Sequence, residues 1–246
     1  MVAVFDVGNT NLHAGIYEGR TFIQRWHVPT RSKLPVTRIR RILSRSKLSG
    51  VAVSSVVPHL TKQLVGLCGQ YTVRAVVISS RIDCGIRYAY DDPATLGADR
   101  IAAIAGALAR YRRDAIIVDA GTAITIDVAL ENGRHLGGLI LPGMEMLAEA
   151  MHEKTAQLPR VRVERPKNLA GRSTEECLQS GIFNGTMNMI SGLIRELRAR
   201  YARDFLCVST GGAGALMARH IPEIDKHDPD LCLYGALTIY YRNVSD

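Results

Sequence analysis

Two short turns, Asp6-Val7-Gly8-Asn9-Thr10 and Asp119-Ala120-Gly121-Thr122, each place a carboxylate, a glycine and a hydroxyl within a few residues. Glycine lets a backbone approach a ligand closely, and the exposed N–H groups of such a turn form a concavity that suits an anion. Asn9, Thr10 and Thr122 add side-chain donors for phosphate oxygens. A carboxylate repels phosphate, so Asp6 makes chemical sense beside one only with a cation between them, typically hydrated Mg²⁺ held through one or two carboxylates. Two such turns on one ligand would grip a polyphosphate from both sides. The plain alternative is a pair of hairpin entries with solvated aspartates, and the recurrence favours phosphate binding over it.

A third region, Tyr90-Asp91-Asp92-Pro93-Ala94-Thr95-Leu96-Gly97-Ala98-Asp99-Arg100, opens an alanine-rich stretch that reads as a helix. Asp99 at a helix mouth is favoured by the macrodipole and has a structural use there as a cap. It has a chemical use as well: to take the proton of a substrate hydroxyl while Arg100 holds an anionic or hydroxyl-rich substrate, the arrangement of a phosphotransferase. The residues alone leave both readings open. Other signatures are missing. No Gly-Lys dipeptide occurs, which excludes a Walker A loop; no His-Glu-x-x-His and no Gly-x-Ser-x-Gly occur either. Thr210-Gly211-Gly212-Ala213-Gly214 lacks the third glycine of a dinucleotide fingerprint.

The elements that must hold these residues form a repeat. Val2–Phe5 is an apolar run entering the first turn, followed by strand patterns at Leu12–Tyr17 and Phe22–Val28. Ala115–Val118 enters the second turn, followed by Ile124–Leu130 and His135–Leu141. Strand, Asp-x-Gly turn, strand, turn, strand thus occurs twice, and a duplication fixes architecture before any local motif does. The boundary falls near Arg113-Asp114, giving halves 1–113 and 114–246. Helical spacing marks 36–48, 100–112, 142–154, 174–203 and 212–220; Val51–Val57, Ala75–Ser79 and Phe205–Ser209 read as strands, and Leu231–Tyr241 closes the chain. Leu158–Gly171, rich in Pro and Arg, is the least regular stretch.

With 246 residues, 47% hydrophobic and 22% charged, the composition is that of a globular protein, not a collagenous, low-complexity or disordered one. A net charge of +8 favours anionic partners without choosing among them. Five cysteines, none spaced as a metal pair, suit reduced thiols. The seven histidines are scattered. The start of the chain lacks a signal-peptide pattern and the longest apolar run, Ile101–Ala109, is far short of the ~20 residues of a membrane span; the expectation is a soluble cytoplasmic protein. Arg31, Lys33, Arg38, Arg40, Arg41, Arg45 and Lys47 form a basic stretch without an acid. Their apolar partners on the same helical pattern make this a solvated outer face, so nucleic acid is not the expected partner.

Taken together, the segments resemble the type III pantothenate kinases of the acetate and sugar kinase/Hsp70/actin superfamily. The matching stretches are Asp6–Asn11, Ser54-Ser55-Val56-Val57-Pro58, Gly97–Arg100, Asp119–Asp127, Gly137–Gly143, Thr155–Pro159, Thr174-Glu175-Glu176, Ser180-Gly181 and Thr210-Gly211-Gly212, in the family's order. The resemblance implies an α/β fold of duplicated ribonuclease H-like (actin-like ATPase) domains, each a mixed sheet flanked by helices, with the active site in the cleft between them. It implies transfer of the γ-phosphoryl of ATP to pantothenate, giving 4′-phosphopantothenate, the first step toward coenzyme A. Asp6, Val7, Gly8, Asn9, Thr10, Asn11, Leu12 and His13 would form the first phosphate loop, with Asp6 toward Mg²⁺, and Thr122 would contact ATP. Asp99 would be the general base; Tyr90, Gly97, Ala98, Asp99 and Arg100 would line the pantothenate site. Asp119 would hold a monovalent cation (K⁺ or NH₄⁺), and Thr174 would reach pantothenate from a partner subunit, implying a homodimer. His13 departs from the family pattern, where an apolar residue is usual. Two alternatives stay open: another small-molecule kinase or ATPase of the superfamily, or a non-enzymatic transcription accessory factor.

Overall fold

The structure is a computed structural model that describes residues 1–30, 33–45 and 47–244. Arg31 of the basic stretch lies outside the described residues. In chain order the elements are β1 (Val2–Val7), β2 (Asn11–Glu18), β3 (Thr21–Pro29), α1 (Val36–Leu43), β4 (Gly50–Ser55), α2 (Pro58–Gln70), β5 (Ala75–Val77), β6 (Arg87–Tyr88), a 3-10 turn at Pro93–Thr95 and α3 (Ala98–Tyr111). They continue with β7 (Ala115–Ala120), β8 (Ala123–Ala129), β9 (Arg134–Pro142), α4 (Met144–Glu153), α5 (Thr174–Tyr201), β10 (Leu206–Thr210), α6 (Gly214–His220), β11 (Lys226–His227) and α7 (Leu231–Asn243).

One sheet has the order β3-β2-β1-β4-β5, with β2 antiparallel to both neighbours and β4 parallel to both of its own. The other has the order β11-β10-β7-β8-β9-β6, with β10 parallel to β7 and β11. Leaving aside β6, which pairs in parallel with β9, the two sheets trace the same path. The duplication read from the two turns therefore extends to the parallel strands that follow, and both mixed sheets are flanked by helices, as expected.

Two compact units divide the chain: Met1–Arg113 with Ala129–Gly137 and Asp230–Asp246, and Asp114–Val128 with Gly138–Pro229. In the first, β1 is buried on both faces, which is why Val2–Phe5 reads as an unbroken apolar run. Alternation along β1 sends Ala3, Phe5 and Val7 into a core with Ile39, Ile42, Leu60 and Leu64 of α1 and α2. Val2 and Val4 join Ala52, Ile101, Ala102, Leu237 and Ile239, under α3 and α7. Asp6 shares the Val2–Val4 face by its period of two. Helix α3 is buried almost all round from Arg100 to Ala107, which demands its run of small residues. A Cβ at Gly106 would overlap the Leu231 carbonyl, and one at Gly235 the Ala102 carbonyl, so α3 and α7 pack backbone to backbone.

Helix α1 ends at Leu43 rather than continuing to residue 48. The Ser44 hydroxyl donates to the Arg41 carbonyl, and the Ser49 amide is taken by the Met1 carbonyl, so the chain after Leu43 already turns into β4. Helix α2, absent from the sequence reading, starts with Pro58 as its first residue and buries Leu60, Leu64 and Leu67 along one stripe. Among the described residues no helix is long and apolar enough to cross a membrane.

Candidate active site

Asp6 stands one residue from the end of β1, level with Ser54 on β4 and His13 on β2. The buried Ser54 hydroxyl donates to Asp6 Oδ1 at 2.7 Å, orienting the carboxylate near the C-terminal ends of the two parallel strands. Such ends are where open α/β sheets bind ligands. The following turn is closed by the Gly8 amide donating to the Asn11 carbonyl at 2.9 Å. Thr30, just past β3, fastens it: its hydroxyl donates to the Gly8 carbonyl at 2.9 Å and its amide to the Thr10 carbonyl at 2.8 Å. Asn9 and Thr10 are exposed. Val7 and Leu12 are buried in the core, so only their backbone is available to a ligand. His13 is half-buried with its ring 5.2 Å from that of His27; burial, and then the nearby His27, lower its pKa below the ordinary histidine value.

The stretch from Tyr90 to Arg100 is shaped by the Asp92 side chain, which accepts from the Ala94 amide and opens the 3-10 turn. Gly97 then caps α3 without a side-chain bond, Asp99 lies in the first helical turn, and Asp99 Oδ1 accepts the Arg100 amide at 2.7 Å. Asp99 is therefore not the N-cap of α3, although its carboxylate takes a main-chain amide of the first turn, and it is half-buried rather than sealed. A side chain on Gly97 would overlap the Asp99 carboxylate and touch Val56. Since Val56 directly follows β4, this packing sets the mouth of α3 against the strand end that carries Ser54, and through it Asp6. Arg100 is 5% exposed, and a guanidinium so placed needs acceptors. Tyr90 is one of its partners: Nη1 donates to the Tyr90 hydroxyl at 3.3 Å, and the guanidinium lies 5.8 Å from the ring centre. The other support of Tyr90 is His135, whose ring is stacked on it at 5.9 Å and 23°.

In the second unit Asp119 lies one residue from the end of β7, level with buried Thr210 on β10. The Gly121 amide donates to the Ala123 carbonyl at 3.0 Å, and the Ala213 amide to the Ala120 carbonyl at 2.9 Å. Gly211 has φ +81°, and a Cβ there would overlap the Asp119 carboxylate and lie 2.8 Å from the Ala120 carbonyl oxygen. The bare glycine therefore packs directly against the Asp119 carboxylate and the Ala120 carbonyl, which brings two oxygens close together. Oxygen ligands are what a hard cation takes. The Gly143 amide donates to the Thr122 carbonyl at 3.0 Å, so three segments singled out in the sequence meet at this turn, with Thr122 itself exposed.

Thr174, the first residue of α5, is exposed on the rim of an apolar groove of about 480 Å³ with Leu147, Met151, Leu158, Cys177 and Leu178. Sequence reasoning assigned no role to Ser54, Gly211 or His135. The first two lay within recognised segments; His135 carried no signal beyond its place in a strand pattern.

A model of the type III pantothenate kinase family matches residues 2–196. A type III pantothenate kinase of Syntrophotalea carbinolica is 35% identical, covering 99% of this chain and 99% of its own. Among solved structures, a conserved protein of Campylobacter jejuni assigned to the Baf family of transcriptional activators superposes with a TM-score of 0.62 at 23% identity, over 98% of each chain. An inorganic polyphosphate/ATP-glucomannokinase of an Arthrobacter strain does so at 0.52 and 14% identity, over 98% of this chain and 99% of its own. At those identities the two structures establish the fold alone.

Proposed function

Because the chain belongs to the type III pantothenate kinase family, we propose that it transfers the γ-phosphoryl group of ATP to the primary hydroxyl of pantothenate, giving 4′-phosphopantothenate and ADP. The bond from the γ-phosphorus to the ADP oxygen breaks as the pantothenate oxygen bonds to phosphorus, and the hydroxyl proton passes to Asp99. The observations that support this reading are the bond of Ser54 to Asp6 at the ends of β4 and β1, and the position of Gly97, the cap of the helix bearing Asp99 and Arg100, against Val56 just past β4. Asp6 has the oxygen chemistry for Mg²⁺, which would supply positive charge against the polyphosphate. The turn from Asp6 to His13 and Thr122 of the second turn are assigned to ATP. Tyr90, Gly97, Ala98 and Arg100 are assigned to pantothenate, with Arg100 facing its carboxylate as a preorganised donor. Asp119, packed against Gly211, is assigned to K⁺ or NH₄⁺.

The apolar groove beside Thr174 supports a homodimer, since a second copy would cover it and bring Thr174 to pantothenate. The enzyme is placed in the cytoplasm. An assay of phosphate transfer from ATP to pantothenate, run with K⁺ and with Na⁺ alone, tests the function. Formation of 4′-phosphopantothenate that depends on K⁺ is expected. ATP hydrolysis indifferent to pantothenate would instead favour an ATPase of the same fold.

A further inference from the structure

Arg100 is held in part by Tyr90, and Tyr90 has its own support in a strand far along the chain. His135 is the second residue of β9, is 0% exposed, and lies level with Tyr88 of the short parallel strand β6. The Ala89 amide donates to the His135 carbonyl at 3.0 Å, and the Arg87 amide to the Gly133 carbonyl at 2.8 Å, so β9 fixes the backbone leading to Tyr90 from below. The His135 ring stacks on Tyr90 at 5.9 Å and meets the edge of Tyr88 at 6.4 Å and 80°. Tyr90 in turn accepts from Arg100 through its hydroxyl and lies against the guanidinium with its ring. The turn before His135 has no slack: Gly133 has φ +85°, and the Arg134 amide is fixed by the Asn132 side chain at 3.1 Å.

We propose that His135 is a positioning residue for the pantothenate site, its ring stacking on Tyr90 and thereby setting where the Arg100 guanidinium points. A tyrosine side chain attached to an irregular segment has rotational freedom that one stacked aromatic neighbour removes. The inference rests on the assignment of Tyr90 and Arg100 to pantothenate, and it places a specificity element on β9, outside every segment that carried the family resemblance up to Gly137.

The test compares His135→Phe, which keeps a flat ring, with His135→Leu, which fills the space without stacking; each is checked for a cooperative thermal transition before kinetics. His135→Leu is expected to raise the KM for pantothenate by about 5-fold, with the KM for ATP within 2-fold of the parent, whereas His135→Phe restores the parent value. A parallel rise in both KM values, no rise in either, or a phenylalanine variant as poor as the leucine one overturns the inference. Arg100→Ala serves as the control. If it leaves the KM for pantothenate unchanged, the assignment of the site itself fails; if it raises that KM and His135→Leu does not, only the role of His135 fails.

Discussion

The two acidic turns start from the same scaffold and diverge in what faces the carboxylate. Asp6 is level with Ser54 and receives its hydroxyl; Asp119 is level with Thr210 and lies against the backbone of Gly211. A donated hydroxyl fixes a carboxylate in one orientation. A glycine instead lets main-chain oxygen come close beside it, the setting proposed for the larger monovalent cation. Duplication of a sheet thus supplies two equivalent acids, and one residue on the neighbouring parallel strand or just beyond it differentiates their proposed uses. The first unit also adds a second carboxylate, Asp99, on the helix whose cap, Gly97, lies against Val56 just past β4.

The largest expected effect falls on that added carboxylate. Asp99→Asn should keep the fold and ATP binding yet lower kcat by about 10²–10⁴-fold; near-parent turnover in a coupled assay would strip the first turn of its proposed chemical advantage. Glycine replacements come next. Gly211→Ala must accommodate both a positive φ and an overlap with Asp119, so a loss of about 2–4 kcal/mol and a Tm lower by about 5–15 °C is expected. Gly8→Ala, whose Cβ would meet the Asn11 carbonyl oxygen at 3.1 Å at an ordinary φ, should cost about 1 kcal/mol or less. Equal losses by calorimetry would mean that the turns are not differentiated by backbone crowding.

Smaller still is the split between ions. Asp119→Asn should raise the K⁺ concentration for half-maximal activity about tenfold, roughly 1.4 kcal/mol of ion binding, while leaving the Mg²⁺ requirement alone; Asp6→Asn should do the reverse. The least effect concerns acid. His13, present in the first turn region and without a counterpart histidine in the second, has a lowered pKa in the folded state. The unfolded chain therefore binds the proton more readily, and the stabilising contribution is complete above about pH 6.5 and declines as pH falls below it. His13→Leu should flatten the loss of Tm between pH 7 and pH 5; an unchanged slope would assign that loss elsewhere.

Much of this was legible in the sequence because it depends on local order. Val2–Phe5 and Ala115–Val118 are apolar runs broken by Asp-x-Gly, and such breaks mark both the strand ends and the turns that follow. What escaped has other causes. Helix α2 begins at Pro58, which reads equally as the stop of a strand, and its stripe of Leu60, Leu64 and Leu67 is interrupted by Gly66 and followed by Gly69. Leu48 extends an apolar spacing that tertiary contacts override, since the chain must return to pair β4 with β1. The partners of the site residues were beyond reach for a simpler reason. The bond of Ser54 to Asp6, the closeness of Gly211 to Asp119 and the stack of His135 on Tyr90 are set by register and packing between distant segments, and no spacing within one segment encodes them.

The mutual fit of Gly106 and Gly235 constrains how the enzyme can move. With the two backbones in touch, α3 has no side-chain cushion on which to slide or roll against its neighbour, so the helix bearing Asp99 shifts only if the final helix travels with it. Asp99, the proposed proton acceptor, is thus carried on a helix whose position is tied to that of its neighbour, a fixed post toward which a substrate would have to be brought.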